Sequence, residues 1–129
     1  MIVDTSAALA IVQGEPGFEV FASAISASET PRISAASFLE ASIVAEIRAG
    51  DRGLRQFDYF MRESGLSVEP VTHEHALIAR EGFSNYGKGR HPAGLNFGDC
   101  FAYALAKSTG EPLLFKGEDF RQTDVVPAL

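Results

Sequence analysis

Short strand-like segments alternate with helix-length amphipathic segments along the chain, and this alternation most limits what the 129 residues can form. Strands separated by helices favour a mainly parallel sheet covered by helices. The predicted strands are residues 1–3, 32–34, 67–71, 112–115 and 124–126. The predicted helices are residues 5–14, 15–26, 37–50, 52–64, 73–86 and 95–107. We therefore predict an α/β fold.

Composition limits the class of protein. With 46% hydrophobic and 22% charged residues, the chain suits one globular domain over residues 1–129. A single cysteine excludes an intramolecular disulfide framework. The N-terminus lacks the basic segment and apolar run of a secretory signal, so we expect a cytoplasmic protein. No apolar run is long enough to span a membrane.

The charge is unevenly distributed. A formal net charge of -6 argues against nucleic-acid binding through overall positive potential, but it leaves room for a local basic patch. Residues 82–98 contain no carboxylate, whereas Lys88, Arg90 and His91 lie in the loop "YGKGRHPAGLN". This loop is the basic segment that we consider for phosphate contacts.

Carboxylates follow several of the predicted strands. Asp4 comes directly after the first strand, and Glu118 and Asp119 follow the fourth strand after two residues. Glu40 lies near the start of the helix after residues 32–34, and Asp99 lies in the first turn of the last helix. Since open parallel sheets gather ligands at the carboxyl ends of their strands, these acids can meet at one edge.

Each acid also has a structural explanation. Asp4 can cap the first helix, and "SFLE", residues 37–40, has the form of a capping box. Glu118 or Asp119 can start a helical turn. Asn96 is a good N-cap, and Asp99 suits the positive end of its helix dipole. The predicted buried face of that helix comprises Phe97, Cys100, Phe101, Ala104 and Leu105.

The acids taken together indicate a metal. Buried carboxylates without partners are costly, and Glu40 has largely apolar neighbours, so a cluster of such groups implies a cation. Oxygen ligands suit Mg²⁺ or Mn²⁺ rather than zinc. His73 and His75 have a spacing that places them on different helix faces, and Cys100 lies on the apolar face, so none of them has zinc-ligand spacing.

Four segments together resemble a PIN-domain ribonuclease, specifically a VapC-type toxin of a toxin-antitoxin pair. They are "IVDTSA", "SFLEAS" with Glu40, "NFGDCFAYALAK" with Asp99 and "LLFKGEDF" with Asp119. The resemblance covers nearly the whole chain and implies a three-layer α/β/α sandwich with a mainly parallel central sheet. It also implies a metal site formed by Asp4, Glu40, Asp99 and Asp119, with Ser6 as a polar neighbour. Glu118 and Asp124 are alternatives for, or additions to, the fourth acid.

The resemblance implies a metal-dependent endoribonuclease. A bound metal provides an acidic water and neutralises phosphate oxygens, which allows hydrolysis of an RNA phosphodiester bond. Either Glu40 or Asp119 is a candidate to orient the attacking water or accept its proton. Lys88, Arg90 and Lys116 are candidates for contacts with backbone phosphates.

The resemblance also implies partners. VapC-type toxins are inhibited by a VapB-like antitoxin that covers an apolar groove, and they commonly form homodimers. Helices of this chain carry apolar residues beyond those that a small core obviously needs, namely Phe38, Ile43, Ile47, Phe57, Phe60 and Met61.

Two other classes of protein stay open at this point. A receiver-like signalling domain also binds Mg²⁺ at strand ends, and Lys116 after "PLLF" fits its phosphoryl contact. Such a domain needs adjacent acids after its first strand, whereas this chain has only Asp4 there. The other alternative is a non-catalytic binding module in which the acids only cap helices.

Overall fold

A four-stranded parallel sheet lies between two layers of helices in the computed structural model, which describes all 129 residues. The sheet order is β3-β2-β1-β4. The strands are β1 (Ile2–Val3), β2 (Arg32–Ser34), β3 (Ser67–Glu69) and β4 (Leu113–Leu114). The helices are α1 (Thr5–Val12), α2 (Phe18–Ala27), α3 (Ala35–Ser64), α4 (His73–Tyr86) and α5 (Asp99–Thr109). A short 3-10 helix covers Phe120–Gln122.

The two faces of the sheet have separate cores because side chains alternate along each strand. Ile2 and Leu113 pack with α4 and α5, in a cluster that includes Leu105. Val3 and Leu114 pack on the other face, with residues of α1, α2 and α3. This arrangement confirms the predicted three-layer sandwich with a parallel sheet.

Helix α3 has two halves. Ala49 and Gly50 interrupt its helical geometry, and Gly50 has a φ of 58°, which favours glycine over residues with a side chain. The two halves correspond to the two helices predicted at 37–50 and 52–64. The first half begins earlier than predicted, at Ala35, because Ser34 provides the N-cap.

The predicted strand at 124–126 is wrong as a full strand. The segment runs beside β4 and makes one isolated bridge, between Leu113 and Pro127. The Leu113 N–H donates to Val126 O at 2.8 Å, and the Ala128 N–H donates to Leu113 O at 2.9 Å. These two bonds, on either side of Pro127, are the whole of the pairing with β4.

The predicted apolar face of α5 is correct only within the helix. Cys100, Ala104 and Leu105 are buried and Phe101 is half-buried, but Phe97 is 80% exposed. Phe97 precedes the first residue of α5, and its ring packs edge-on against Phe101 rather than in the core.

The six apolar residues considered for partner binding also divide into two groups. Phe57 is fully buried, and Phe38, Phe60 and Met61 are half-buried against the core. Ile43 and Ile47 are exposed. Most of this apolar surface is therefore core. No helix has the length and apolar character that crossing a membrane requires.

Candidate metal and active site

Asp4 lies at the carboxyl end of the central strand β1 and is only 4% exposed. It is the N-cap of α1, as the sequence predicts. Its Oδ2 atom accepts hydrogen bonds from the Ser6 N–H at 2.9 Å and from the Ser6 hydroxyl at 2.6 Å. No protein group donates to Oδ1. The carboxylate is thus held through one oxygen while the other has no partner.

Ser6 also joins the ends of two neighbouring strands. The Lys116 N–H, just beyond β4, donates to the Ser6 hydroxyl oxygen at 3.0 Å. The Asp4 N–H donates to Leu114 O at 2.9 Å. These bonds fix the Asp4 carboxylate relative to the segment that leads to Asp119. Ser6 is therefore a direct neighbour of the candidate site.

Asp99 combines the two roles that the sequence leaves open. Its Oδ2 accepts from the Asn96 N–H at 2.9 Å, and its own N–H donates to Asn96 Oδ1 at 2.9 Å. This reciprocal pair stabilises the start of α5 in the manner of a capping box. Its Oδ1 atom has no hydrogen-bond partner in the protein. Capping thus fixes one oxygen of Asp99 and leaves the other available.

Glu40 does not act as part of a capping box, so the prediction for residues 37–40 is wrong. The helix starts at Ala35, and the Ser34 hydroxyl accepts from the Ala36 N–H at 3.3 Å. The half-buried Glu40 carboxylate instead lies against the backbone of Gly98. A β-carbon at residue 98 would lie 2.7 Å from the Glu40 carboxyl carbon. Gly98 therefore allows Glu40 to approach the start of α5.

The pKa values show that these acids share one environment. Burial raises the pKa of Asp4 to about 6, against the lowering effect of its bonds with Ser6. The charges of Asp99 and Glu40 contribute further to that rise. The pKa of Asp99 is raised first by burial and then by the charges of Glu40 and Asp119. The four acids thus interact electrostatically across four segments of the chain.

None of these four acids belongs to an ion pair. The acids that do pair with cations are Glu15, Glu69, Glu111, Glu118 and Asp124. No three His, Cys, Asp or Glu side chains are close enough, as placed, to hold a metal together. Charged carboxylates repel one another, and a divalent cation among them would offset that repulsion. The oxygen-only donor set, with the free Oδ1 atoms of Asp4 and Asp99, fits Mg²⁺ or Mn²⁺.

The other acids considered for the fourth position lie in different surroundings. Glu118 is exposed and its Oε2 is 3.7 Å from the Arg121 Nε. The Asp124 carboxylate accepts from the Tyr103 hydroxyl at 2.8 Å and pairs with the Lys107 Nζ at 2.9 Å. Lys107 lies two turns along α5 from Asp99, so Asp124 is not brought to the cluster. Asp119 is exposed, and it alone of the three raises the pKa of Asp99.

The candidate RNA-binding cations differ in their contacts. Lys88 and Arg90 are exposed in the loop before α5, and neither belongs to an ion pair. The Arg90 guanidinium lies 5.5 Å from the centre of the Phe83 ring. The Lys116 ammonium is paired with Glu15. The loop before α5 therefore offers the more available positive charge.

Sequence reasoning missed Gly98 as a site residue. Its position beside Asp99 is visible, but the approach of Glu40 joins residues far apart in the chain, and no local pattern reveals it. The capping pair of Asn96 and Asp99, by contrast, follows from their spacing and was expected.

The PIN-domain family matches residues 1–126. A ribonuclease VapC of Mycolicibacterium smegmatis is 48% identical over 125 residues, which cover 97% of this chain and 97% of that protein. The fold is also similar to that of Mycobacterium tuberculosis VapC20, described as a sarcin-ricin loop cleaving toxin, with a TM-score of 0.78 at 19% identity. That likeness covers 97% of this chain and 95% of the other.

A second solved structure is VapBC2 from Rickettsia felis, bound to a DNA fragment from their promoter. It matches with a TM-score of 0.77 at 12% identity and covers 98% of this chain and 95% of the other. The family match favours the nuclease hypothesis over a receiver-like domain or a binding module whose acids only cap helices.

Proposed function

This chain belongs to the PIN-domain family and to its VapC ribonucleases, and from that premise we propose a specific site and cofactor for it. It is an endoribonuclease toxin of a toxin-antitoxin system. We propose that it depends on Mg²⁺ or Mn²⁺ held by Asp4, Glu40, Asp99 and Asp119. The observation that carries this proposal is the group of four interacting acids, one of them deeply buried, that have no cation of the protein as partner. A cytoplasmic location and a single domain over residues 1–129 stay predictions.

Each acid has a role that follows from its surroundings. The free Oδ1 atoms of Asp4 and Asp99 would bind the metal, while Ser6 and Asn96 hold the Oδ2 atoms in place. The chemistry that the cation supplies is an acidic water and neutralisation of phosphate charge. Asp119, on the exposed segment after β4, completes the oxygen donors.

Glu40 is the proposed proton acceptor. The hydrogen bonds of the site do not involve its carboxylate, so one oxygen can bind the metal while the other accepts a proton from the attacking water. Contact with the Gly98 backbone limits its position, whereas Asp119 lies on an exposed turn. Proton removal by Glu40 would accompany attack of this water on the phosphorus of the RNA backbone, while the P–O bond to one ribose oxygen would break and that oxygen would leave and take a proton from solvent.

The test is cleavage of RNA by the purified chain without any partner. A mixed RNA pool is incubated with protein and Mn²⁺, or with protein and a chelator, and the new RNA ends are sequenced. We expect discrete ends that require the metal. Random ends that persist in chelator would indicate a contaminating nuclease. Absence of cleavage by folded protein that binds Mn²⁺ would contradict the proposed activity.

We further propose that a VapB-like antitoxin binds a groove of about 730 Å³ between α1, α2 and α3. Apolar side chains line its floor, among them Ile11, Ile25 and Phe60. Arg52, Arg55 and a single acid, Glu63, also line it, and none of the three belongs to an ion pair. This combination suits an amphipathic segment with acidic flanks.

Coexpression with the neighbouring gene tests the partner. We expect the small neighbour to copurify and growth to recover, and Arg55→Glu to reduce copurification. Continued toxicity with a soluble, coexpressed neighbour would count against it.

We also propose a homodimer. Leu39, Ile43 and Ile47 recur every four residues along α3 and are all exposed, so they form an apolar stripe on one helix face. A second copy covering this stripe would remove it from water. Light scattering should give the mass of two chains, and Ile47→Glu should give the mass of one. A wild-type chain that is monomeric at high concentration would contradict the dimer.

A further inference from the structure

A pocket of about 590 Å³ lies between α4 and the start of α5. Cys100, the residue after Asp99, forms part of its wall. The pocket and the acids therefore share the first turn of α5. A ligand held in the pocket would therefore lie against the turn of α5 that carries Asp99.

Phe97 forms an exposed aromatic wall of this pocket. Its side chain is 80% exposed, the largest value among the large hydrophobic residues that are exposed. Its ring packs edge-on against Phe101, with 4.9 Å between ring centres. The reciprocal bonds of Asn96 and Asp99 flank Phe97 and fix the backbone on which it stands. The ring is thus presented to solvent from a defined position two residues before Asp99.

The pocket wall carries positive charge but no acid. Arg80 and Arg90 line it, no carboxylate does, and neither arginine belongs to an ion pair. Phe83 lines it too, and its ring lies under the Arg90 guanidinium. Aromatic faces next to arginines are the features by which proteins bind unpaired bases and their phosphates.

We infer that this pocket binds one unpaired base of the RNA, adjacent to the phosphate that is cleaved. The base stacks on Phe97, while Arg80 and Arg90 contact flanking phosphates. The inference rests on the proposed function, since it places this base next to the cleaved bond. A second copy of the chain suits the pocket less well. A twofold contact centred there would bring the two arginines of one copy against those of the other.

The test measures binding and cleavage separately. Short single-stranded RNAs of mixed sequence, each with one 2-aminopurine, are titrated in chelator with wild type, Phe97→Ala, Phe97→Tyr and Arg90→Ala. The matched control is Val126→Ala, because Val126 is 63% exposed and lies beside the start of β4, at the opposite end of the sheet. Cleavage with Mn²⁺ and the melting temperature are measured for every variant.

Phe97→Ala should weaken RNA binding about 10- to 100-fold and remove the aminopurine signal, while the dependence of binding on salt keeps its slope. Phe97→Tyr should restore most of the binding. Arg90→Ala should reduce the salt slope by about 0.7, because one phosphate contact is lost. The Mn²⁺-dependent rise in melting temperature should be unchanged in all of them.

The failures are distinguishable. Wild-type protein that cleaves RNA, together with Phe97→Ala protein that binds and cleaves equally well, would overturn the pocket alone. Wild-type protein that neither binds nor cleaves RNA would overturn the proposed function as well. Loss of cleavage in Phe97→Ala that coincides with conversion of a dimer to a monomer would overturn the base site and assign this surface to an interface between copies.

Discussion

The acids at the two ends of the sheet have different kinds of partner. At the amino end, Glu111 precedes β4 and is shared by two cations: its Oε1 lies 2.6 Å from the Met1 amino group, and its Oε2 pairs with Arg32. At the carboxyl end, Asp4 and Asp99 are held only by neutral donors. The charge of Glu111 is neutralised by cations of the chain itself, whereas the acids at the carboxyl end keep an excess of negative charge.

This difference distinguishes acids that stabilise the fold from acids that are available to bind an added cation. A partly buried acid with cation partners contributes to stability, and removing it leaves those cations without compensation. A buried acid among other acids costs stability until a cation arrives. The amino end should therefore respond to mutation through stability, and the carboxyl end through activity and metal.

The largest effect is expected for Asp99→Asn. The asparagine can still accept from the Asn96 N–H, so the start of α5 should persist, but one charged ligand is lost. RNA cleavage should fall by about three orders of magnitude. Asp124→Asn is the matched control, since Asp124 pairs with Lys107 away from the cluster, and it should cleave normally. Full activity of a folded Asp99→Asn protein would remove Asp99 from the site.

Gly98→Ala should have the next largest effect. The backbone at Gly98 is already right-handed helical, with φ −63° and ψ −42°, so alanine fits the chain itself. Its methyl group would displace the Glu40 carboxylate, and cleavage should fall at least about tenfold with little change in stability. In a Glu40→Ala background the same change should have no further effect. Additive losses would mean that Gly98 does not act through Glu40.

Glu111→Gln should have the opposite effects to Asp99→Asn and Gly98→Ala: a loss of stability without a loss of cleavage. Loss of the shared charge leaves the Met1 amino group and Arg32 without their partner, and unfolding by denaturant should show a loss of about 1–2 kcal/mol. The cleavage rate of the folded protein should be unchanged. Reduced cleavage at wild-type stability would show that the two ends are not independent.

The smallest effect is expected for the double change Lys88→Ala and Arg90→Ala. Both cations are exposed and outside any ion pair, and only the contact of Arg90 with the Phe83 ring is lost, so stability should change little. Loss of two phosphate contacts on a single strand should reduce the salt slope of RNA binding by about 1.4. An unchanged slope would exclude this loop from the RNA surface.

Local rules predicted much of the fold and part of the site. Asp4 at the end of a strand and Asp99 at the start of a helix follow from strand, cap and periodicity patterns that extend over a few residues. The same rules fail where a helix begins later than predicted, as α5 does. Helical spacing carried back through Phe97 predicted burial, whereas α5 starts after it.

Contacts between distant segments were beyond these rules. The approach of Glu40 to Gly98 joins α3 to the start of α5, and the Asp124 carboxylate is used by Tyr103. Neither pairing has a local pattern, since each depends on how the layers pack. The choice of Asp119 as the fourth acid likewise depends on the path of the chain after β4.

The most direct test of the excess negative charge at the carboxyl end of the sheet uses protein stripped of metal. Its melting temperature is measured at about pH 5 and about pH 7, before and after Mn²⁺ is added. The folded pKa of Asp4, about 6, lies above its ordinary value of 3.8, so the folded state binds the proton more tightly. Its contribution to stability is present below about pH 4 and is lost as pH rises through about 6, up to about 3 kcal/mol. We expect a lower melting temperature at pH 7 than at pH 5, a rise on adding Mn²⁺ at pH 7, and smaller changes of both kinds in Asp4→Asn, in which Asp99, Glu40 and Asp119 remain. Wild-type and Asp4→Asn proteins that respond identically to pH and to Mn²⁺ would contradict the account.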